Sequence, residues 1–191
     1  PSGAGARRVR WTSPGIVALL LAGCVLLHAP SLAWGFFADD FGHRLVLEHP
    51  DEHPTMRPWS LYDFGDPTAA SVRDDALFPW WTESDWRGRF FRPLTSLSLW
   101  LDHAVWGRFA PGHHLTNLAL QLALLGTLLW LYRSMGLGAG VALLAVALFA
   151  LDDGSALVVG WIATRNSLLE APFAAAALGF ALRGREQGGG A

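Results

Sequence analysis

The feature that most constrains this chain is the run from Trp11 to Ala38, in which no residue is charged. A bilayer hydrocarbon core about 30 Å thick is crossed by roughly 20 predominantly apolar helical residues. Ser13 to Phe37 supplies that length, with His28 as its only strongly polar side chain. Further charge-free runs extend from Phe109 to Tyr132 and from Ser134 to Leu151; a fourth, Ser167 to Leu182, is shorter and carries Glu170 and Pro172. The expected fold is all-α, a polytopic transmembrane helix bundle of about four spans, near residues 14–37, 113–132, 135–151 and 167–182. Composition agrees, since 52% hydrophobic residues and ten Trp in 191 positions are unusual for a soluble domain.

Orientation follows from arginine placement, because short cytoplasmic loops are enriched in basic residues. Arg7, Arg8 and Arg10 precede the first span, Arg133 lies between the second and third, and Arg183 and Arg185 follow the fourth. A cytoplasmic N-terminus (1–13) puts all three clusters inside and makes 38–112 and 152–166 outer loops. The expected location is therefore a membrane, crossed several times, with the N-terminus cytoplasmic. The tail GREQGGGA, 184–191, reads as a linker or a cut end.

LAGC, residues 21–24 after RRVR, has the form of a lipoprotein signal. A polar linker normally follows such a signal, whereas here VLLHAPSLAWGFF prolongs the apolar run, which favours an uncleaved first helix. With Cys24 the only cysteine, there is no internal disulfide framework. A net charge of -2, with no basic tract and no zinc spacing, gives no sign of nucleic-acid binding.

In the first outer segment, HPDEHP, MRPWS and FGDPT mark loops. FRPLTSLSLWLDHAVWG, residues 91–107, differs: Leu94, Leu97, Leu101, Ala104 and Val105 recur at helical spacing, Pro93 suits a first turn, and Thr95, Ser98 and Asp102 form another face. An amphipathic helix lying on the membrane surface is expected. Trp80, Trp81, Trp86, Trp100 and Trp106 surround it, either as an interfacial aromatic belt or as a sugar-stacking platform.

Asp39 and Asp40 fall at the outer mouth of the first span, and Asp152 and Asp153 at the outer mouth of the third. Neighbouring helical positions point about 100° apart, so one carboxylate of each pair is expected to face the bundle. His43 is either an orienting partner for Asp39, a metal ligand or a hydrogen-bonding surface residue. Arg92 suits either a phosphate or a lipid headgroup, and Arg165 either pairs with Glu170 or faces a lipid phosphate.

The acidic pair, RPLTSL at 92–97, PGHHLTNLALQLALLGTLLWLYR, and LDDGSALVVGWIATRNSLL follow one another in an order that resembles the GT-C superfamily of integral membrane glycosyltransferases. The likeness is to bacterial relatives of the protein O-mannosyltransferases and of the tetratricopeptide-containing transmembrane mannosyltransferases. It covers about residues 14–183. The resemblance implies that Asp39 and Asp40 contain the catalytic carboxylate. It also makes Asp152 and Asp153 candidates for substrate or metal binding, and with them Arg92, Arg165, Asn166 and His43 stand as substrate-binding candidates. Leu157 stands where many of these relatives have a glutamate. Family members have more spans, and this chain begins at Pro1 and ends in glycine, so the N-terminal part of a larger enzyme is expected.

The implied reaction moves a sugar from a polyprenyl-phosphate donor in the membrane lipid to a hydroxyl of a protein or glycan acceptor. A carboxylate with a raised pKa suits the base that deprotonates the acceptor. An arginine, or a divalent cation such as magnesium or manganese on Asp39, Asp40, Asp152 and Asp153, would stabilise the departing phosphate. The competing class is a non-catalytic membrane module, a transporter segment or assembly subunit, for which charged or broken helices near the midplane are the signature.

Overall fold

The computed structural model describes residues 14–52, 57–64 and 88–188. Helix α1 (Pro14–His28) runs on through a 3-10 turn to Ala33. Next come α2 (Asp39–Glu48) and a two-stranded antiparallel pair, β1 (Asp63–Phe64) and β2 (Gly88–Arg89), with Asp63 opposite Arg89. The remaining helices are α3 (Pro93–Trp106), α4 (Ala110–Ser134), α5 (Ala139–Leu151), α6 (Asp153–Gly160) and α7 (Arg165–Gly188), with a 3-10 turn, Ile162–Thr164, before α7.

Local chemistry sets the boundaries. Pro93 and Pro111 sit in the first turns of α3 and α4, where a missing N–H costs nothing. Gly107 and Gly136 have φ of 54° and 80°, a conformation open to glycine, and they break the chain after α3 and α4. Ala38 is the one described non-glycine residue in that region, at φ 46°. Such a backbone costs on the order of 1–3 kcal/mol and persists only where neighbours enforce it. It turns the chain sharply from the end of the first span into α2.

Helix α4 is central, packed most extensively on α7 and also on α3, α5 and α6. Two apolar clusters result. One, within the bundle, joins Cys24, Leu125, Val146 and Ala150; the other, beneath α2, joins Val46, Leu61, Tyr62, Leu99 and Ile162.

Polarity runs inside out. His114, Asn117 and Gln121 of α4 are buried, while Leu26, Leu144, Leu148, Phe173 and Phe180 face outward. Helix α3 has the same inversion, with Thr95, Ser96 and Asp102 buried and Leu94, Leu97, Leu101 and Val105 exposed. Water would penalise so much outward apolar surface, whereas hydrocarbon accepts it. The amphipathic split expected for 91–107 is therefore present, with its polar face against the protein.

Pro14–Ala33 and Ala110–Ser134 are long and apolar enough to cross a membrane. A third crossing exists if α5 and α6, bent by 59° at Asp152, count as one. The third expected span, 135–151, holds α5, whose 13 residues reach about 20 Å at 1.5 Å per residue and span a 30 Å core only together with α6. The segment expected as an outer loop, 152–166, contains helix α6 and a 3-10 turn. Helix α7 has the length of a span, but Glu170, Arg183 and Arg185 keep it out of the apolar set. Trp80, Trp81 and Trp86 lie outside the described residues.

Candidate active site

Asp39 and Asp40 open α2, and the two side chains separate as helical geometry requires. Asp39 is exposed, whereas Asp40 is 3% exposed. Asp40 Oδ2 accepts from the Phe37 N–H at 3.0 Å, across the strained Ala38. Its Oδ1 accepts from the Ala163 N–H at 2.7 Å, from the 3-10 turn before α7. Burial raises the carboxyl pKa above its ordinary value; the N–H donors of Phe37, Ala163 and Ile162, and the nearby His114, oppose that rise. The result is a buried carboxylate held by backbone and shifted toward accepting a proton.

Asp40 borders a cleft of about 20 Å³ that it shares with His43, Arg44, His103 and His113, over an apolar floor that includes Leu99 and Ile162. That volume admits a hydroxyl-sized group rather than a sugar ring. His43 is buried with its ring 4.5 Å from that of Tyr62, and desolvation pushes its pKa down to about 4. It is therefore neutral at pH 7. Arg44 stands at the rim, its guanidinium 5.2 Å from the Phe36 ring and 3.2 Å from Glu48, which also holds Arg108 at 2.6 Å.

Arg165 corrects an expectation. Its side chain is fully buried; Nε donates to Asn117 Oδ1 at 2.7 Å, Nη2 to the His113 carbonyl at 3.2 Å, and Nη1 to the Ser98 carbonyl at 3.3 Å. The ion-pair partner is Asp102, 2.6 Å away, not Glu170. Thr116 donates to the other Asp102 oxygen at 2.8 Å, and Asn117 Nδ2 donates to the Val159 carbonyl at 3.1 Å. A guanidinium so enclosed and so fully engaged ties α3, α4, α6 and α7 together and presents nothing to a lipid phosphate.

Arg92 precedes α3 half-buried, with its guanidinium 5.0 Å from the Tyr62 ring and 4.9 Å from Phe90. Asp152 and Asp153 are both exposed, and Asp152 caps α6 by accepting from the Gly154 N–H at 3.0 Å. Neither is brought into the Asp40 cleft. Asn166 is half-buried at the start of α7. Among the described residues, no three His, Cys, Asp or Glu side chains come together to hold a metal, so the four aspartates do not share one cation site.

The sequence does not single out Tyr62, Asp102, His113 or Arg44 as site residues. Tyr62 is the hub: it meets His43 and Arg92 with its ring, and its hydroxyl donates to the Ala163 carbonyl at 2.6 Å. Its one visible signal is rarity, as one of two tyrosines in a chain rich in Trp and Phe. Comparison with protein-family models, with curated proteins and with solved structures finds no match to this chain.

Proposed function

We propose that the chain is a membrane glycosyltransferase of GT-C type, or the N-terminal part of one, that transfers a sugar from a polyprenyl-phosphate donor to an acceptor hydroxyl. In this reading α7 is a fourth crossing, its Phe173, Leu178 and Phe180 facing lipid. The N-terminus is cytoplasmic and the cleft opens on the outer face of a bacterial inner membrane. The observation that carries the reading is Asp40: a buried carboxylate with a raised pKa, fixed by the Phe37 and Ala163 N–H groups beside a hydroxyl-sized cleft. Support also comes from the convergence of the stretches that carry the resemblance. Asp40 bonds to Ala163 of GWIATRNSLL, and Arg165 of the same stretch bonds to Asn117 and His113 of PGHHLTNLALQLALLGTLLWLYR.

Asp40 takes the proton of the acceptor hydroxyl as its oxygen bonds to the anomeric carbon. The bond from that carbon to the phosphate oxygen breaks, and its electron pair leaves with the phosphate. Because phosphate departs readily, one base suffices. Arg44 replaces Arg165 as the cationic partner for the departing phosphate, since it lies on the cleft and Arg165 does not.

The test is transfer by the purified protein in nanodiscs, supplied with a labelled polyprenyl-phosphate sugar and acceptor. Asp40→Asn is expected to lower the rate by about 10²-fold or more, and Asp39→Asn to leave it near wild type. Equal activity in wild type and Asp40→Asn would sink the assignment. The second reading, a non-catalytic module, gains from the bend at Asp152 only where α5 and α6 form a single span, since it is a helix broken near the midplane that marks a transport site. That reading predicts no transfer by any variant and a solute-binding defect in Asp152→Asn.

A further inference from the structure

Ala163 is held at both of its polar ends by residues distant in sequence. Its N–H donates to Asp40, 123 positions away, and its carbonyl accepts from the Tyr62 hydroxyl, 101 positions away. All three residues are buried. A three-residue 3-10 turn has little stiffness of its own, so the direction of its N–H groups depends on what grips it. Tyr62 is itself well fixed. Its neighbour Leu61 donates to Ser96, its ring rests on His43, and the Arg92 guanidinium lies over it.

We propose that Tyr62 is a positioning residue for Asp40: its hydroxyl fixes the Ala163 carbonyl and thereby aims the Ala163 N–H at Oδ1, holding the carboxylate toward the cleft. The inference rests on the reading of Asp40 as the base, but its test does not pass through transfer. The other groups that bear on Asp40 are Asp39 and His43 on α2, His114 on α4, Arg165 at the head of α7, and Arg44, His103 and His113 around the cleft. All of them remain in Tyr62→Phe, which removes one oxygen and keeps the ring.

The experiment follows the carboxyl infrared band that Asp40→Asn abolishes, titrated with pH in nanodiscs on the full chain. An N–H aimed at a carboxylate favours the ionised form, so losing that aim raises the titration midpoint. Tyr62→Phe is expected to raise it by about half a pH unit, roughly a threefold gain in proton affinity. Ser96→Ala loosens the same segment at Leu61 and is expected to leave the midpoint in place. An unmoved midpoint in Tyr62→Phe, or equal shifts in both variants, overturns the proposal.

Should Tyr62→Phe not fold, the link is read from its other end, since coupling is reciprocal. Tyr132→Phe leaves Tyr62 as the sole tyrosine. Adding Asp40→Asn is then expected to shift the hydrogen-bond-sensitive tyrosine band in ultraviolet Raman spectra, and an unchanged band overturns the proposal. A shifted midpoint with no transfer by wild type rejects the transferase reading and upholds the Tyr62 link. Transfer with an unmoved midpoint does the reverse.

Discussion

Arg165 and Asp102 meet at 2.6 Å where no water reaches the guanidinium, and the pair joins the head of α7 to the middle of α3. Asp102 has a second partner in Thr116, and Arg165 has four further acceptor atoms on Asn117, Ser98 and His113. Removing one member leaves the other charged and buried. Arg165→Met and Asp102→Leu are each expected to cost about 3–5 kcal/mol, read as loss of thermal stability in detergent. The double variant should recover much of that loss, because neither charge is then left alone.

His43 gives the chain an acid limit. Its folded pKa, about 4, lies below the ordinary 6.5, so the unfolded chain binds the extra proton more readily. The stability this contributes is present above about pH 6.5 and is lost as pH falls toward 4, on the order of 3 kcal/mol across that window. His43→Phe keeps a ring against Tyr62 and is expected to flatten the thermal-stability profile between those pH values. Asp40 acts with the opposite sign: with its folded pKa raised, its contribution is greatest below the unfolded carboxylate value and is lost as pH rises through the folded value.

The strain at Ala38 is testable alone. Glycine tolerates φ 46° without a Cβ penalty. Ala38→Gly is therefore expected to raise stability by up to about 1 kcal/mol, the relief being partly offset by the greater entropy of the unfolded chain. A lower melting temperature in that variant would contradict the strain.

Gly179 lets α7 approach α4 at Trp130, and a Cβ there would overlap the indole ring. The same ring meets Phe180, at 5.0 Å between centroids, and the Arg183 guanidinium at 5.5 Å. Gly179→Ala is expected to cost about 1–3 kcal/mol through forced repacking. Smaller losses are expected for Gly126→Ala, which has open space, when both are measured by thermal unfolding in the same detergent.

Arg44 at the cleft rim should act on donor affinity. Arg44→Gln is expected to raise the donor KM about tenfold in the transfer assay, while Arg92→Gln, committed to Tyr62 and Phe90, changes it less. The reverse ranking would return the phosphate role to Arg92.

What the chain disclosed in advance was whatever depends on neighbours in sequence. The apolar runs announce α1 and α4, and the leucine spacing announces α3 together with its two faces. The separation of Asp39 from Asp40 is also local, since adjacent helical side chains diverge. The errors lie where a distant partner decides. Arg165 looks like a surface cation until Asp102 and Asn117 close around it. Asp152 is a local case, its carboxylate capping the helix it begins by accepting from the N–H two residues on. The same residue closes the third apolar run and α5, and the chain bends there by 59° into α6. Tyr62 is silent in the sequence because its importance lies in a carbonyl far along the chain.

The bond from Ala163 to Asp40 also has a consequence for biogenesis. A ribosome makes the Asp40 carboxylate before the residue that bonds it, which follows 123 positions later. Until the turn at 162–164 has been made and docked, Asp40 lacks that partner, and the nascent chain carries a carboxylate that is not yet held. The contact between Asp40 and Ala163 thus closes only after the whole stretch between them has been made, however early its first residue is read.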